Sequence, residues 1–171
     1  MLKKISDEEV WFKEWCKEAL EIGLITKFTD EVIPMSLSEK VTIPGIVQLK
    51  TITKKVDKFL MHPHTYKPDF FVVLSWQIPE LTLLDNSQNT YPVFIDIKGE
   101  FTGRKNSSNY TFPLNQKWVY DKYQIYVNKV IPTIFFKTTW CPQSIRNGKR
   151  GLPLKKWSTY PTKEEYLQCL K

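Results

Sequence analysis

The chain has 171 residues, 42% hydrophobic and 14% aromatic, enough to bury the core of one domain and too apolar for a disordered polymer. With 25 Lys and Arg against 18 Asp and Glu, the formal charge is +7 and the pI near 9.2; this favours a polyanionic partner, nucleic acid ahead of an acidic membrane surface. No apolar run is long enough for a membrane span, no signal-type segment opens the chain, and Cys16, Cys141 and Cys169 are too scattered for a disulfide framework or zinc site. A reducing, cytoplasmic setting is the expectation.

In chain order, residues 6–24 read as a first helix. Ser6 is placed to cap it, and Glu9 lies three residues on, as in a capping box. Phe12, Cys16, Ala19, Leu20 and Gly23 form one stripe at helical spacing, widened by Trp11, Trp15 and Ile22, and Gly23 marks the stop. Glu14, Lys17 and Glu18 read as a solvated face. Between 25 and 60, alternation near Ile46–Leu49 and Val56–Leu60 suggests short strands, broken by Pro34, Pro44 and Gly45. Lys50, Lys54, Lys55 and Lys58 fit two roles equally: charge beside a functional site, or protection of an exposed edge against strand pairing.

His62 and His64 lack a third soft ligand nearby, which argues against zinc and places His64 in a loop beside the site. Strands are expected at 69–76 and 92–98, joined by an excursion over 77–91 that carries Leu81, Leu83 and Leu84. Glu100 to Tyr110 reads as a polar loop, 114–129 as a second helix, and Ile131 to Phe136 as a buried strand. Strand, helix and strand with tight joints suggest a crossover that sets the last strand parallel to a neighbour. A closing helix is expected over Lys163–Leu170. From Lys137 onward basic residues far outnumber the two acids, Glu164 and Glu165, and Trp157 and Tyr160 are interleaved among them. The expected organisation is a core over 1–136 with a basic extension, 137–171, packed on or beside it.

The chemistry-bearing residues are Asp69, Asp96 and Lys98. Asp96 and Lys98 alternate with Phe94, Ile95 and Ile97, so both emerge on one face of a strand. Charges inside an apolar strand are costly unless paired, bound to metal or used in chemistry. Phosphodiester hydrolysis needs an activated water, stabilised phosphoryl oxygens and a partner for the leaving oxygen; a hard cation held by carboxylates serves all three. Asp69, Asp96 and the carbonyl of Ile97 can supply oxygen ligands for a hard divalent cation, and the Lys98 ammonium can stabilise the transition state. Glu9, from the first helix, competes between completing that shell and capping the helix. Lys67, Arg104, Lys105, Lys117, Arg146, Lys149 and Arg150 are candidate contacts to a nucleic-acid backbone.

Pro68-Asp69 followed by Asp96-Ile97-Lys98 resembles the PD-(D/E)xK nuclease signature. The fuller string from His64 to Phe70, with Asp96-Ile97-Lys98-Gly99, is similar to the phage endonuclease I group of Holliday-junction resolvases. In that group a glutamate opens the first helix three residues after a serine, as Glu9 follows Ser6. The resemblance implies an α/β, restriction-endonuclease-like fold, a mixed β-sheet flanked by helices, with Mg²⁺ or Mn²⁺ and a structure-selective DNA endonuclease activity. Asp69 and Asp96 would be metal ligands, Lys98 the catalytic lysine and Glu9 the helix carboxylate. Cutting two strands symmetrically favours a homodimer. The alternative is a nucleic-acid-binding module that keeps the fold without chemistry, using its basic tail with Trp157 and Tyr160.

Overall fold

A computed structural model describes residues 5–81, 91–100, 107–147, 151–152 and 154–169, with only the backbone described for 107–110. The protein is mixed α/β. Helix α1 (Asp7–Glu21) opens the chain, its Ser6 hydroxyl accepting from the Glu9 N–H at 3.2 Å. Its C-terminus is a Schellman closure: Leu24 N–H donates to Ala19 O and Gly23 N–H to Leu20 O, with Gly23 at φ +72°. Only glycine adopts that backbone without strain, and no atom lies within 4 Å of an added Cβ. Gly23→Ala is therefore expected to lower unfolding stability by about 1 kcal/mol through backbone strain alone; an unchanged urea midpoint would contradict this.

Four strands form the central sheet, ordered β1-β6-β7-β8: β1 (Ile25–Thr29), β6 (Phe70–Leu74), β7 (Tyr91–Ile97) and β8 (Val127–Val130). The β1/β6 and β6/β7 pairs are antiparallel and β7/β8 is parallel. The remaining strands, β2 (Met35–Ser38), β3 (Val41–Gln48), β4 (Thr53–Met61) and β5 (His64–Tyr66), pair as β2/β5 and β3/β4. Val93, Ile95 and Ile97 of β7, with Phe70, Val72 and Leu74 of β6, pack against Phe12, Trp15, Cys16 and Ala19 of α1. On the opposite face Phe94 joins Leu37, Tyr66 and Val127 beneath Phe112 and Val119 of helix α2 (Ser107–Tyr123). Strand alternation thus sends the odd β7 positions toward α1 and the even ones toward α2.

The middle of the chain departs from the sequence expectation. Helix α2 begins before Pro113 and ends at Tyr123, where Gln124 takes a left-handed φ of +55°. The parallel partner of β7 is Val127–Val130, and 131–136, expected as a strand, is mostly helix α3 (Pro132–Thr138). Pro132 sits in the first helical turn, where its missing N–H and fixed φ are tolerated. Pro132, Thr133, Phe135 and Phe136 are buried while Ile134 faces out, so the apolar run is a helix face.

Helices α4 (Gln143–Arg146) and α5 (Lys163–Cys169) follow. The boundary expected at 136 falls inside α3, and Trp140, Cys141 and Trp157 beyond it belong to the same core as Trp15. Among the described residues no helix is long and apolar enough to cross a membrane.

Candidate active site

The site forms at one end of the sheet, where β6 begins and β7 ends, between the N-terminus of α1 and the first half of α2. Phe70 faces Ile95 across the β6/β7 ladder, so extending that register by one residue sets Asp69 opposite Asp96. Asp69 Oδ2 accepts from the Ile97 N–H at 2.8 Å, which ties the start of one strand to the end of the other. Asp96 is only 3% exposed and forms an ion pair with Lys98 on the same face of β7. The Lys98 ammonium also lies 5.7 Å from the centre of the Phe112 ring on α2, and the Lys98 backbone N–H donates to Val130 O.

Electrostatically the site is unbalanced. Burial pushes the Asp96 carboxyl above its ordinary range; contact with Lys98 opposes this, and the neighbouring Asp69 charge adds to it. The buried Tyr66 hydroxyl lies against Asp96, and burial followed by the two carboxylates drives its phenol far upward. Asp96 Oδ2 is engaged by the Lys98 ammonium, while the buried Tyr66 hydroxyl has no well-aligned hydrogen bond. Burying a carboxylate next to a second one costs stability, which makes this pair a candidate functional centre.

This leads to a pH expectation. A carboxyl whose folded pKa exceeds its unfolded value contributes stability below the unfolded pKa and loses it as pH rises through the folded one. Asp96→Asn removes the buried charge, so its melting temperature should fall less than the wild type's between pH 4 and pH 8. Parallel curves in divalent-free buffer would contradict that electrostatic account.

Other sequence-identified residues are dispersed. Glu9 is half-buried and lines a small groove with Lys67, Pro68, Asp69 and the Lys13–Asp30 ion pair. It neighbours Asp69, and among the described residues no three His, Cys, Asp or Glu side chains converge as a metal cage. Glu8, unremarked in the sequence, brings its carboxylate to within 3.2 Å of where a Gly99 Cβ would stand. His64 is a β5 strand residue rather than a loop residue: it contacts Asn115 Oδ1 at 2.8 Å and stacks on Trp118. Lys117 is exposed on α2. Arg104, Lys105, Lys149 and Arg150 lie outside the described residues, as do Leu83 and Leu84.

The tail is tied down. Arg146 donates to Tyr160 O, and Trp157 is buried against Trp11 and Phe136, where it offers no face to a base. Glu18, expected in solvent, accepts from Trp140 Nε1 at 2.8 Å and from the Gln143 N–H at 2.7 Å.

Asp69 and Asp96, side by side at the strand ends, make a pair of hard-oxygen donors. It suits Mg²⁺ or Mn²⁺, for which one or two carboxylates suffice when substrate and water complete the shell. Comparison with protein-family models, curated proteins and solved structures finds no match to this chain.

Proposed function

We propose that this protein is a divalent-metal-dependent endonuclease of PD-(D/E)xK type that hydrolyses phosphodiester bonds in DNA, with branched DNA as its preferred substrate. The observation that carries this reading is the meeting of Asp69, Asp96 and Lys98 at one end of a mixed sheet flanked by helices. Asp69, Asp96 and the Ile97 carbonyl would hold Mg²⁺ or Mn²⁺, and the bound cation would supply Lewis acidity at the phosphoryl and leaving oxygens.

The chain's own residues have separate tasks. Asp69 braces the ends of the two strands through the Ile97 N–H, fixing the spacing of the carboxylates. Tyr66 walls off one side of Asp96 from water. Lys98 can swing from Asp96 toward a phosphate because its side chain is partly exposed, and its ammonium would stabilise charge that grows on the phosphoryl oxygens.

The Lys98–Asp96 ion pair also favours a second reading, a purely structural pair in an ordinary α/β protein. Against it, burial holds the Asp96 carboxyl above its ordinary range despite Lys98, a poor return for burying a charge. A binding module using Trp157 as a stacking platform is disfavoured by that residue's burial. The test is incubation with junction, single-stranded and linear duplex DNA in Mg²⁺, beside Asp96→Ala. Metal-dependent cleavage lost in the variant is the expected result; no cleavage of any substrate by the wild type sinks the assignment.

A further inference from the structure

Strands β3 and β4 form a two-stranded ribbon whose extensive contacts, among the described residues, are with each other. All its positions are exposed or half-exposed, including Ile43, Ile46, Val47 and Phe59, with Ile46 64% exposed. An isolated pair of strands is at best marginally stable in water. Here one is preserved at a length of roughly 25 Å, taking about 3.3 Å per residue. The ladder register puts each lysine opposite an apolar residue: Val47 faces Lys54 and Ile43 faces Lys58 on one side, and Ile46 faces Lys55 on the other. Lys50 adds a charge at the tip, where Leu49 N–H donates to Ile52 O. Asp57 is the ribbon's acidic residue, against these four lysines. Gly45 has a specific purpose: a Cβ there would meet the Lys58 stem at 2.7 Å, so glycine lets that stem lie flat across the ribbon.

The ribbon also starts at the site. Its β4 strand runs through His62 and Pro63 into β5, whose last residue, Tyr66, lies against Asp96, and Asp69 follows three residues later. A polyanion held along the ribbon would therefore lead into the catalytic centre.

We infer that the β3–β4 ribbon is a duplex-gripping arm that enters a groove of the DNA flanking the cut site, its lysines on the phosphates and its apolar residues against sugar and base edges. This rests on the nuclease reading. A major groove admits a two-stranded ribbon, and the alternation of lysine with Ile and Val suits a groove's charged rims and less polar floor. Net positive charge distinguishes this occupant from a second copy of the ribbon, which would bring like charges together.

The experiment replaces Lys50, Lys54, Lys55 and Lys58 with Gln in an Asp96→Asn background and measures binding to a duplex of about 30 base pairs across salt concentrations. The slope of log affinity against log salt should become shallower by about 3 to 4, and affinity should drop tenfold or more at low salt. With Asp96 restored, the four-fold variant should cut duplex slowly at low protein concentration and recover as the DNA is saturated, because the lysines bind and do not react. An unchanged slope with intact cleavage overturns the arm and leaves the nuclease reading standing. So does aggregation, or a change from dimer to monomer in sedimentation, without any change in slope. Absence of both binding and cleavage in the wild type overturns the two readings together.

Discussion

Lys98→Ala is expected to slow DNA cleavage by about 10² to 10³-fold, the usual effect of removing one charge-stabilising group from a transition state. The loss should fall on the single-turnover rate and leave DNA affinity nearly unchanged, because the ammonium acts where charge develops, away from the bulk of the phosphate contacts. Lys98→Met retains the stem over Phe112 and should be as slow as the alanine variant, which separates charge from packing. Folding stability should also fall, because buried Asp96 loses its cation. The structural-pair reading predicts the stability loss alone, with no cleavage rate to lose. Equal cleavage by wild type, Lys98→Ala and Lys98→Met would remove the lysine from the mechanism.

The outline of this site was legible in the sequence for one physical reason. Period-two alternation with two charges in an apolar strand fixes which face they share, whatever the strand packs against. That Asp69 would stand beside Asp96 needed only that two strand-like segments be neighbours, and they are. Tyr66 was not legible as a site residue, because its role depends on β5 pairing with β2, a contact between distant segments. Glu18 was hidden for the same reason: a glutamate on a polar helix face looks solvated until Trp140 and Gln143 fold back onto it. The errors over 114–136 were local. Helix α2 starts before Pro113, and the apolar run that Pro132 opens is a helix face. The ribbon strands were visible in outline through their alternation. Their isolation was not, because alternation normally signals a buried face and here both faces remain open.

Trp140→Ala is expected to destabilise the whole protein by about 3 to 5 kcal/mol, the usual range for removing a buried tryptophan. Trp140 is fully buried, its ring 5.0 Å from that of Trp15 and 5.1 Å from that of Tyr166. Trp15 in turn touches Phe12 and Phe135, so the aromatic stack runs from α1 through α3 into the tail. Truncation at Trp140 would also leave the Glu18 carboxylate without its indole donor. Against a total of about 5 to 15 kcal/mol for a typical domain, such a loss approaches the threshold for folding. Because the stack is shared, denaturant unfolding should shift as one transition, with its midpoint lowered and its slope unchanged. A tail packed merely alongside would instead give an early transition of its own and leave the main midpoint in place. The same reasoning makes a chain ending at Phe136 insoluble: it would expose Trp15 and Phe135 in place of the residues that now cover them. A soluble, cooperatively folded fragment of that length would show that the core is complete without the tail.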